Sequence, residues 1–210
     1  DNLYDTFAKL RARGLARAMA NTKQVKAANI YNNGFSGTIG DGAAFFSAAH
    51  PTISAGLQSN LLGAADLSEA TLETALTAIQ KTTDDRGILV GASAISLHIP
   101  VDYWAVADRV LSSPGNTQTS SASANPNNNA INATRHMGMV PEGFFINRRF
   151  TDTDAWFVKT DVPNGTKMFV RSPLQTKMEP DFDTGNLRFK ARERYSFGVS
   201  DWRGWYGSAG

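Results

Sequence analysis

The stretch LRFKARERYSFGV, residues 187–199, carries the clearest pattern in the chain. Apolar residues alternate there with basic ones, and Glu193 alone interrupts the apolar series. A period of two residues is typical of a β-strand, because successive side chains of a strand point to opposite faces. We therefore predict a long strand with one apolar and one basic face. The basic face consists of Arg188, Lys190, Arg192 and Arg194.

Further strands are predicted on the N-terminal side of this one. The strand-like segments are 140–146, 155–160 and 167–172. The turn residues Pro163-Asn164-Gly165 separate the last two, which predicts that these two strands form a hairpin. Residues 180–186 predict another turn, and the aromatic-rich tail 201–207 is expected to pack back onto the body.

The chain opens with helical spacing over residues 1–28, which predicts one long helix. Its thin apolar stripe runs through Leu3, Phe7, Leu10, Gly14 and Ala18. A neighbouring ridge carries Lys9, Arg13 and Arg17 at intervals of four residues. Like charges at that spacing repel each other, so we expect something acidic beside the ridge.

The middle of the chain mixes loops with regular elements. Residues 32–63 are glycine-rich and predict an extended segment, whose phenylalanines we expect to be buried with the help of neighbouring copies. A helix at 69–83 with Ser68 as its N-cap, a buried strand at 88–99 and a helix at 101–111 follow. Together with the later strands, this order predicts an α+β fold.

Residues 112–130 are of low complexity and consist mainly of Ser, Asn, Thr and Ala. Such a segment buries too little apolar surface to offset the entropy lost on ordering. We predict a mobile surface loop within a domain, with flanks that pair.

Composition excludes several classes of protein. The chain has 210 residues, 41% of them hydrophobic, and no cysteine, which excludes disulfide scaffolds, thiolate zinc sites and cysteine nucleophiles. No apolar run is long enough for a membrane-spanning helix, so no membrane partner is expected. The three histidines are far apart in sequence, and we predict no metal and no cofactor.

The net charge of +2 conceals an uneven distribution. Residues 1–28 carry six Lys/Arg and two Asp, residues 29–187 carry ten basic and fifteen acidic groups, and residues 188–210 carry five and two. Basic ends and an acidic middle could attract further copies of the chain. The plainer alternative is a solvated surface.

Catalytic motifs are weak. His50 has Asp41 and Ser47 as sequence neighbours, but no nucleophile-elbow sequence accompanies them, so a hydrogen-bonded structural histidine is favoured over a hydrolytic triad. Three carboxylates around the turn at 179–183 do not follow the spacing of a calcium loop. We predict that the chain is not an enzyme.

The two basic stripes, on the helix at Lys9, Arg13 and Arg17 and on the strand at 188–194, leave three interpretations open. They could contact nucleic-acid phosphates, pair with acidic surface on neighbouring subunits, or face solvent. Spacing alone does not separate these interpretations.

A set of short motifs occurs in a specific order along almost the whole chain. They are NNGF (32–35), DG (41–42), FFS (45–47), HP (50–51), LSEATLE (67–73), IP (99–100), LSS (111–113), DAWF (154–157) and DWRG (201–204). In this order the motifs resemble the major capsid (head) subunits of tailed bacteriophages, particularly the relatives of the Mu-like head protein.

The resemblance implies a capsid fold with a long spine helix, a peripheral domain with a long-stranded antiparallel sheet, and an axial domain. Residues 1–65 would supply the spine helix and an extended segment, residues 66–145 the axial domain with the loop 112–130 near the capsomer axis, and residues 146–210 the return to peripheral strands and the tail. The N-terminal arm and extended hairpin of the family precede the spine helix and are expected to be missing from a chain that starts there.

The resemblance also implies a function. The chain would self-assemble into hexamers and pentamers of an icosahedral shell enclosing double-stranded DNA, in a virion built in the bacterial cytoplasm. Portal, scaffold or decoration proteins are further implied partners. The alternatives are a nanocompartment shell of the same fold and a nucleic-acid-binding module that uses the basic strand 188–194.

Overall fold

The computed structural model describes residues 2–115 and 131–210, with side chains from residue 10 onward. The helices are α1 (Asn2–Asn32), α2 (Glu69–Gln80), α3 (Trp104–Ser112) and α4 (Ala133–His136), with 3-10 turns at Val101–Tyr103 and Trp202–Gly204. The strands are β1 (His50–Pro51), β2 (Leu57–Gln58), β3 (Ala94–Ile99), β4 (Phe144–Ile146), β5 (Trp156–Thr160), β6 (Thr166–Pro180), β7 (Leu187–Val199) and β8 (Trp205–Ser208). This mixture of helix and sheet confirms the α+β class.

Four strands form a central sheet in the order β4-β3-β5-β8. β3 runs parallel to β4 and antiparallel to β5, and β8 pairs antiparallel with β5. The C-terminal tail therefore packs back onto the body as predicted. The sheet therefore combines β3, which precedes residue 145, with β5 and β8, which follow it.

The main core lies where α2 and α3 cover this sheet. Leu72 and Ile79 of α2 and Leu97 and Ile99 of β3 are completely buried in one cluster. Ser68 caps α2 as predicted, since its hydroxyl accepts from the backbone N–H of Thr71. The predicted strand at 88–99 begins only at Ala94.

Glycine explains the late start of β3. Gly87 and Gly91 both adopt the left-handed backbone conformation, with φ of 84° and 71°. That conformation interrupts an extended strand, and it leaves Ile88 and Leu89 exposed in the connection.

An aromatic cluster beside the sheet anchors the end of α1. Phe45, Phe46 and Phe157 are almost fully buried there, and Tyr31 of α1 packs edge-on against Trp205 with ring centres 4.8 Å apart. The expectation that neighbouring copies help to bury the phenylalanines is wrong for Phe45 and Phe46, because this chain's own residues cover both of them.

One threonine links three elements at this junction. The hydroxyl of Thr166, the first residue of β6, lies 3.2 Å from the Tyr31 hydroxyl and accepts a hydrogen bond from the Trp205 indole at 3.2 Å. Burial raises the pKa of Tyr31 to about 12, so the phenol stays protonated at ordinary pH.

The strands β6 and β7 form a separate long hairpin, with register from Thr166↔Val199 to Pro180↔Leu187. The predicted hairpin between 155–160 and 167–172 is wrong, because β5 pairs with β3 and β8 and not with β6. The turn at Pro163-Asn164-Gly165 instead passes the chain from one sheet to the other. Turn residues predict a reversal of direction but do not choose the partner strand.

The helix α1 lies on the apolar face of β7, but not through the predicted stripe. Ala12 and Met19 are partly covered and border a groove beside the hairpin, whereas Leu10 is 63% exposed and Gly14 and Ala18 are also exposed. Lys23 makes side-chain contacts between the helix and β7. The side chains of Leu3 and Phe7 lie outside the described residues.

The low-complexity segment lies mostly at 116–130, outside the described residues, so its mobility stays a prediction. Its flanks do pair, since Gly115 and Ile131 form an antiparallel bridge.

Candidate assembly interface

The long hairpin and α1 form a two-layer unit with Glu193 at its centre. The side chain of Glu193 is only 5% exposed and forms an ion pair with Lys23 of α1. The Lys23 ammonium also lies 5.4 Å from the ring centre of Tyr195. The residue that interrupts the apolar series in the sequence is therefore the point at which the helix is fixed to the strand.

The basic residues of β7 project from the face opposite α1. Exposure alternates strictly from Leu187 to Ser196, and all four predicted basic side chains are on the exposed positions. The prediction of one apolar and one basic face is confirmed in structure, while the role of the basic face stays a prediction.

The charges on this face are only partly compensated. Arg188 forms an ion pair with Asp181 at 2.5 Å and faces Glu179 across the hairpin. Lys190, in contrast, lies opposite Lys177, and like charges at opposed positions destabilise a sheet. None of the described acidic side chains forms an ion pair with Lys190, Arg192 or Arg194.

Sequence reasoning missed Lys177 as a member of the basic face. The sequence pattern predicts a strand that ends at residue 172, whereas β6 continues to Pro180. Irregular pairing between Val170 and Gln175 breaks the alternation that would have extended the prediction. The sequence does carry a signal for the longer strand, because Thr176 and Met178 resume the period of two residues. They pair with Ala191 and Phe189 on the apolar face of the hairpin.

The ridge on α1 does not join this face. Arg13 and Arg17 are exposed, and the side chain of Lys9 lies outside the described residues. Because α1 contacts the apolar face of β7, the helix ridge and the strand stripe are on different surfaces of the two-layer unit.

His50 is a fully buried, hydrogen-bonded residue, as favoured from the sequence. Its Nδ1 lies 2.6 Å from Oδ2 of Asp41 and its Nε2 lies 2.9 Å from Oδ1 of Asn60. The ring stacks on Trp202 at 4.5 Å. The partners of the two ring nitrogens are oxygens of Asp41 and Asn60 and not a hydroxyl nucleophile, so the arrangement is not that of a hydrolytic triad.

Ser47 has a separate role in this segment. Its hydroxyl accepts from the backbone N–H of Ala49, and its own N–H donates to Asn60 Oδ1. Asp41, Ser47 and His50 are thus close in space but are arranged around the buried Asn60 amide and not as a triad. The sequence does not single out Asn60, because a lone Asn forms no motif.

Metal-binding geometry is likewise missing from the part of the chain that the structure describes, where no group of His, Asp and Glu could hold an ion. In the acidic turn, Asp181 already accepts hydrogen bonds from Thr184 and Arg188.

Burial lowers the pKa of His98 to about 4, with a smaller contribution from the charge of Lys159.

Comparison with known proteins identifies the chain's family. None of its described helices is long and apolar enough to cross a membrane. No curated protein matches the chain. A family model described as phage capsid protein matches residues 1–208. Because this match covers nearly the whole length, the chain belongs to the phage capsid protein family.

Proposed function

We propose that this chain is the major capsid subunit of a tailed phage, and that it assembles into the hexamers and pentamers of an icosahedral shell around double-stranded DNA. Family membership supports a structural role. The observation that carries the proposal is the long hairpin, most of which the subunit leaves uncovered. In β6, Phe169, Val170 and Met178 are 55%, 54% and 60% exposed.

An uncovered hairpin of this length is poorly suited to an isolated subunit. A two-stranded sheet is marginal in water on its own, and exposed apolar residues on adjacent positions mark interaction surfaces. Both strands also have an outer edge, and the sheet that they form contains only these two strands. Neighbouring copies in a shell would cover what α1 leaves open.

In this proposal α1 is the spine helix and the hairpin is the long-stranded sheet of a peripheral domain. Residues 66–145 form the body of an axial domain, whose sheet β5 and β8 complete. The relation to Mu-like head proteins stays a prediction from the motifs, as do the portal, scaffold and decoration partners.

The basic face supports DNA as the enclosed partner. Lys177, Lys190, Arg192 and Arg194 present a band of positive charge on one side of the hairpin, and such a band binds phosphates without reading base sequence. A nanocompartment shell of the same fold would instead enclose a cargo enzyme, and the neighbouring genes would separate the two: portal, terminase and protease genes, or a single cargo gene.

The assembly proposal is tested on the full-length gene product. We expect sedimentation velocity to show discrete large species and negative-stain microscopy to show rings or closed shells. A protein that stays monomeric over a wide range of concentration, salt and crowding conditions would overturn the proposal.

A further inference from the structure

The outer face of the long hairpin, opposite α1, carries a row of positive charge along β7. Lys190, Arg192 and Arg194 are exposed on this face, and within the described residues none of them forms an ion pair. Neighbours in the row are two residues apart, which places successive cations roughly 7 Å from each other. That interval is close to the distance between neighbouring phosphates on one extended strand of nucleic acid, so a single phosphate chain can follow the row.

An aromatic ring lies at the end of this row. Phe169 of β6 is directly opposite Ser196 of β7, the next position after Arg194 on the same face. A Cβ atom placed on Gly198 would lie 4.0 Å from the Phe169 ring, which puts the ring on the face to which Arg194 and Ser196 also point. Val170 points to the opposite side, the side that neighbouring copies would cover.

The Phe169 ring is open to a ligand. It is 55% exposed, and its neighbours on β7 are a serine and a glycine, which are too small to cover it. An unpaired base of any identity can stack on such a ring, whereas a base inside a duplex is already stacked on both of its faces. Cations alone attract both forms of nucleic acid, so the ring beside them is the feature that favours the unpaired form.

We propose that the outer face of the hairpin binds unpaired DNA, with successive phosphates along Lys190, Arg192 and Arg194 and one base stacked on Phe169. The bases would extend across β6, which lies about 5 Å from β7, and there the exposed Gln175 amide is opposite Arg192 and can hydrogen-bond to them. The inference rests on the proposed enclosure of DNA and names the form of DNA that this face binds.

Substitution of the ring separates the two forms of DNA. In fluorescence anisotropy with the full-length protein at low concentration, Phe169→Ala should weaken binding of a labelled thymidine oligonucleotide about tenfold and leave binding of a duplex of equal length unchanged. Phe169→Leu keeps an apolar side chain of similar size and should show the same loss, while Phe169→Tyr should bind like the wild type. Met178→Ala is the matched control, because Met178 is 60% exposed on the same strand but pairs with Phe189 on the opposite face.

Two further measurements test the stacked base and the phosphate row separately. Addition of the thymidine oligonucleotide should quench the fluorescence of Phe169→Trp more than that of the wild type, because a stacked base quenches an indole. Arg192→Gln combined with Arg194→Gln should make the negative slope of log affinity for the single strand against log salt less steep by about 1.4. Phe169→Ala should leave that slope unchanged, since stacking releases no counterions.

The outcomes separate this inference from the proposed function. Equal affinity of wild type and Phe169→Ala for the single strand, without extra quenching in Phe169→Trp, would overturn the inference, and salt-dependent duplex binding would then leave the enclosure of double-stranded DNA standing. A specific loss of single-strand binding in Phe169→Ala, in a protein that never forms shells, would support the inference and contradict the capsid proposal.

Two other results would overturn unpaired DNA as the ligand. One is tighter binding of an RNA strand than of a DNA strand of equal length. The other is the absence of binding to either form of DNA, which would also remove DNA as the partner of this face and favour an acidic surface on a neighbouring copy.

Discussion

Lys23 on α1 forms an ion pair with Glu193, the one acidic residue on the inner face of β7. The Glu193 side chain is almost fully buried, whereas the Lys23 side chain is 34% exposed. A buried ion pair adds little net stability, because desolvation offsets the attraction between the charges. It does oppose sliding of the helix along the strand, since any shift would leave a buried charge without its partner.

The Lys23–Glu193 pair gives an asymmetric mutational prediction. Lys23→Met leaves the Glu193 carboxylate buried and unpaired, so we expect the free energy of unfolding to fall by about 3 kcal/mol. The double variant Lys23→Met with Glu193→Leu should recover most of that loss. Urea denaturation measures both, with the exposed Lys26→Met as control. A double variant no more stable than the single one would contradict the expectation.

Asn60 is predicted to be the most sensitive polar residue in the chain. Its amide donates to the carbonyls of Phe45, Trp202 and Trp205, and its oxygen accepts from Ser47 and His50. Asn60→Ala leaves several buried groups without partners and should cost roughly 4 kcal/mol. Thermal unfolding followed by circular dichroism measures the effect, and the exposed Gln80→Ala should be near neutral. A loss below about 1 kcal/mol would mean that water replaces the amide.

His98 predicts a loss of stability in acid. Burial holds its folded pKa at about 4, below the ordinary value of 6.5, so between these values the unfolded chain binds a proton that the folded chain does not. Stability should fall from pH 6.5 to pH 4 by about 3 kcal/mol in total from this residue, and the loss should persist below pH 4. His98→Gln should flatten the curve of unfolding free energy against pH, whereas His136→Gln at an exposed position should not. Parallel curves for wild type and His98→Gln would show that His98 does not cause the loss of stability in acid.

Gly204 is predicted to tolerate no side chain. A Cβ atom there would lie 2.6 Å from the Cα of Gly165, a backbone atom of the turn that leads into the long hairpin. Gly204→Ala must therefore displace the base of the hairpin and should lower the free energy of unfolding by about 2 kcal/mol. Gly40→Ala, where nothing lies within 4 Å of the added atom, is the control. Equal stability of the two variants would show that the turn moves without cost.

The basic face predicts salt-dependent DNA binding by the unassembled subunit. Replacing Lys190, Arg192 and Arg194 with Gln should make the negative slope of log affinity against log salt less steep by about three. A control of the same charge replaces the exposed Lys81, Arg86 and Arg109 and should keep the wild-type slope. Fluorescence anisotropy with a labelled duplex gives both slopes. Identical slopes would show that the face is not used for DNA, and would favour acidic surface on a neighbouring subunit.

Local sequence patterns predicted the local features well. The alternation from Leu187 to Val199 and the cap at Ser68 each depend on residues close in sequence, and the structure confirms both. The choice of partner for β5 and the inner face of α1 depend on long-range packing, which sequence spacing does not report. The same holds for the candidate surfaces: the basic residues of β7 were found, whereas Lys177 and Asn60 act through contacts with distant residues.

The exposure of α1 has a consequence for its cleavage by proteases. The helix is fixed at Lys23, which pairs with Glu193, and at its C-terminal end, around Ala28 and Tyr31, whereas most of the described positions in the turns from Leu10 to Thr22 are open to water. Free subunits should therefore be nicked first in those turns, and neighbours packed over them would close the cleavage sites. Susceptibility of this one helix to trypsin, which cuts after its arginines and lysines, thus becomes a measure of how much of a preparation has assembled.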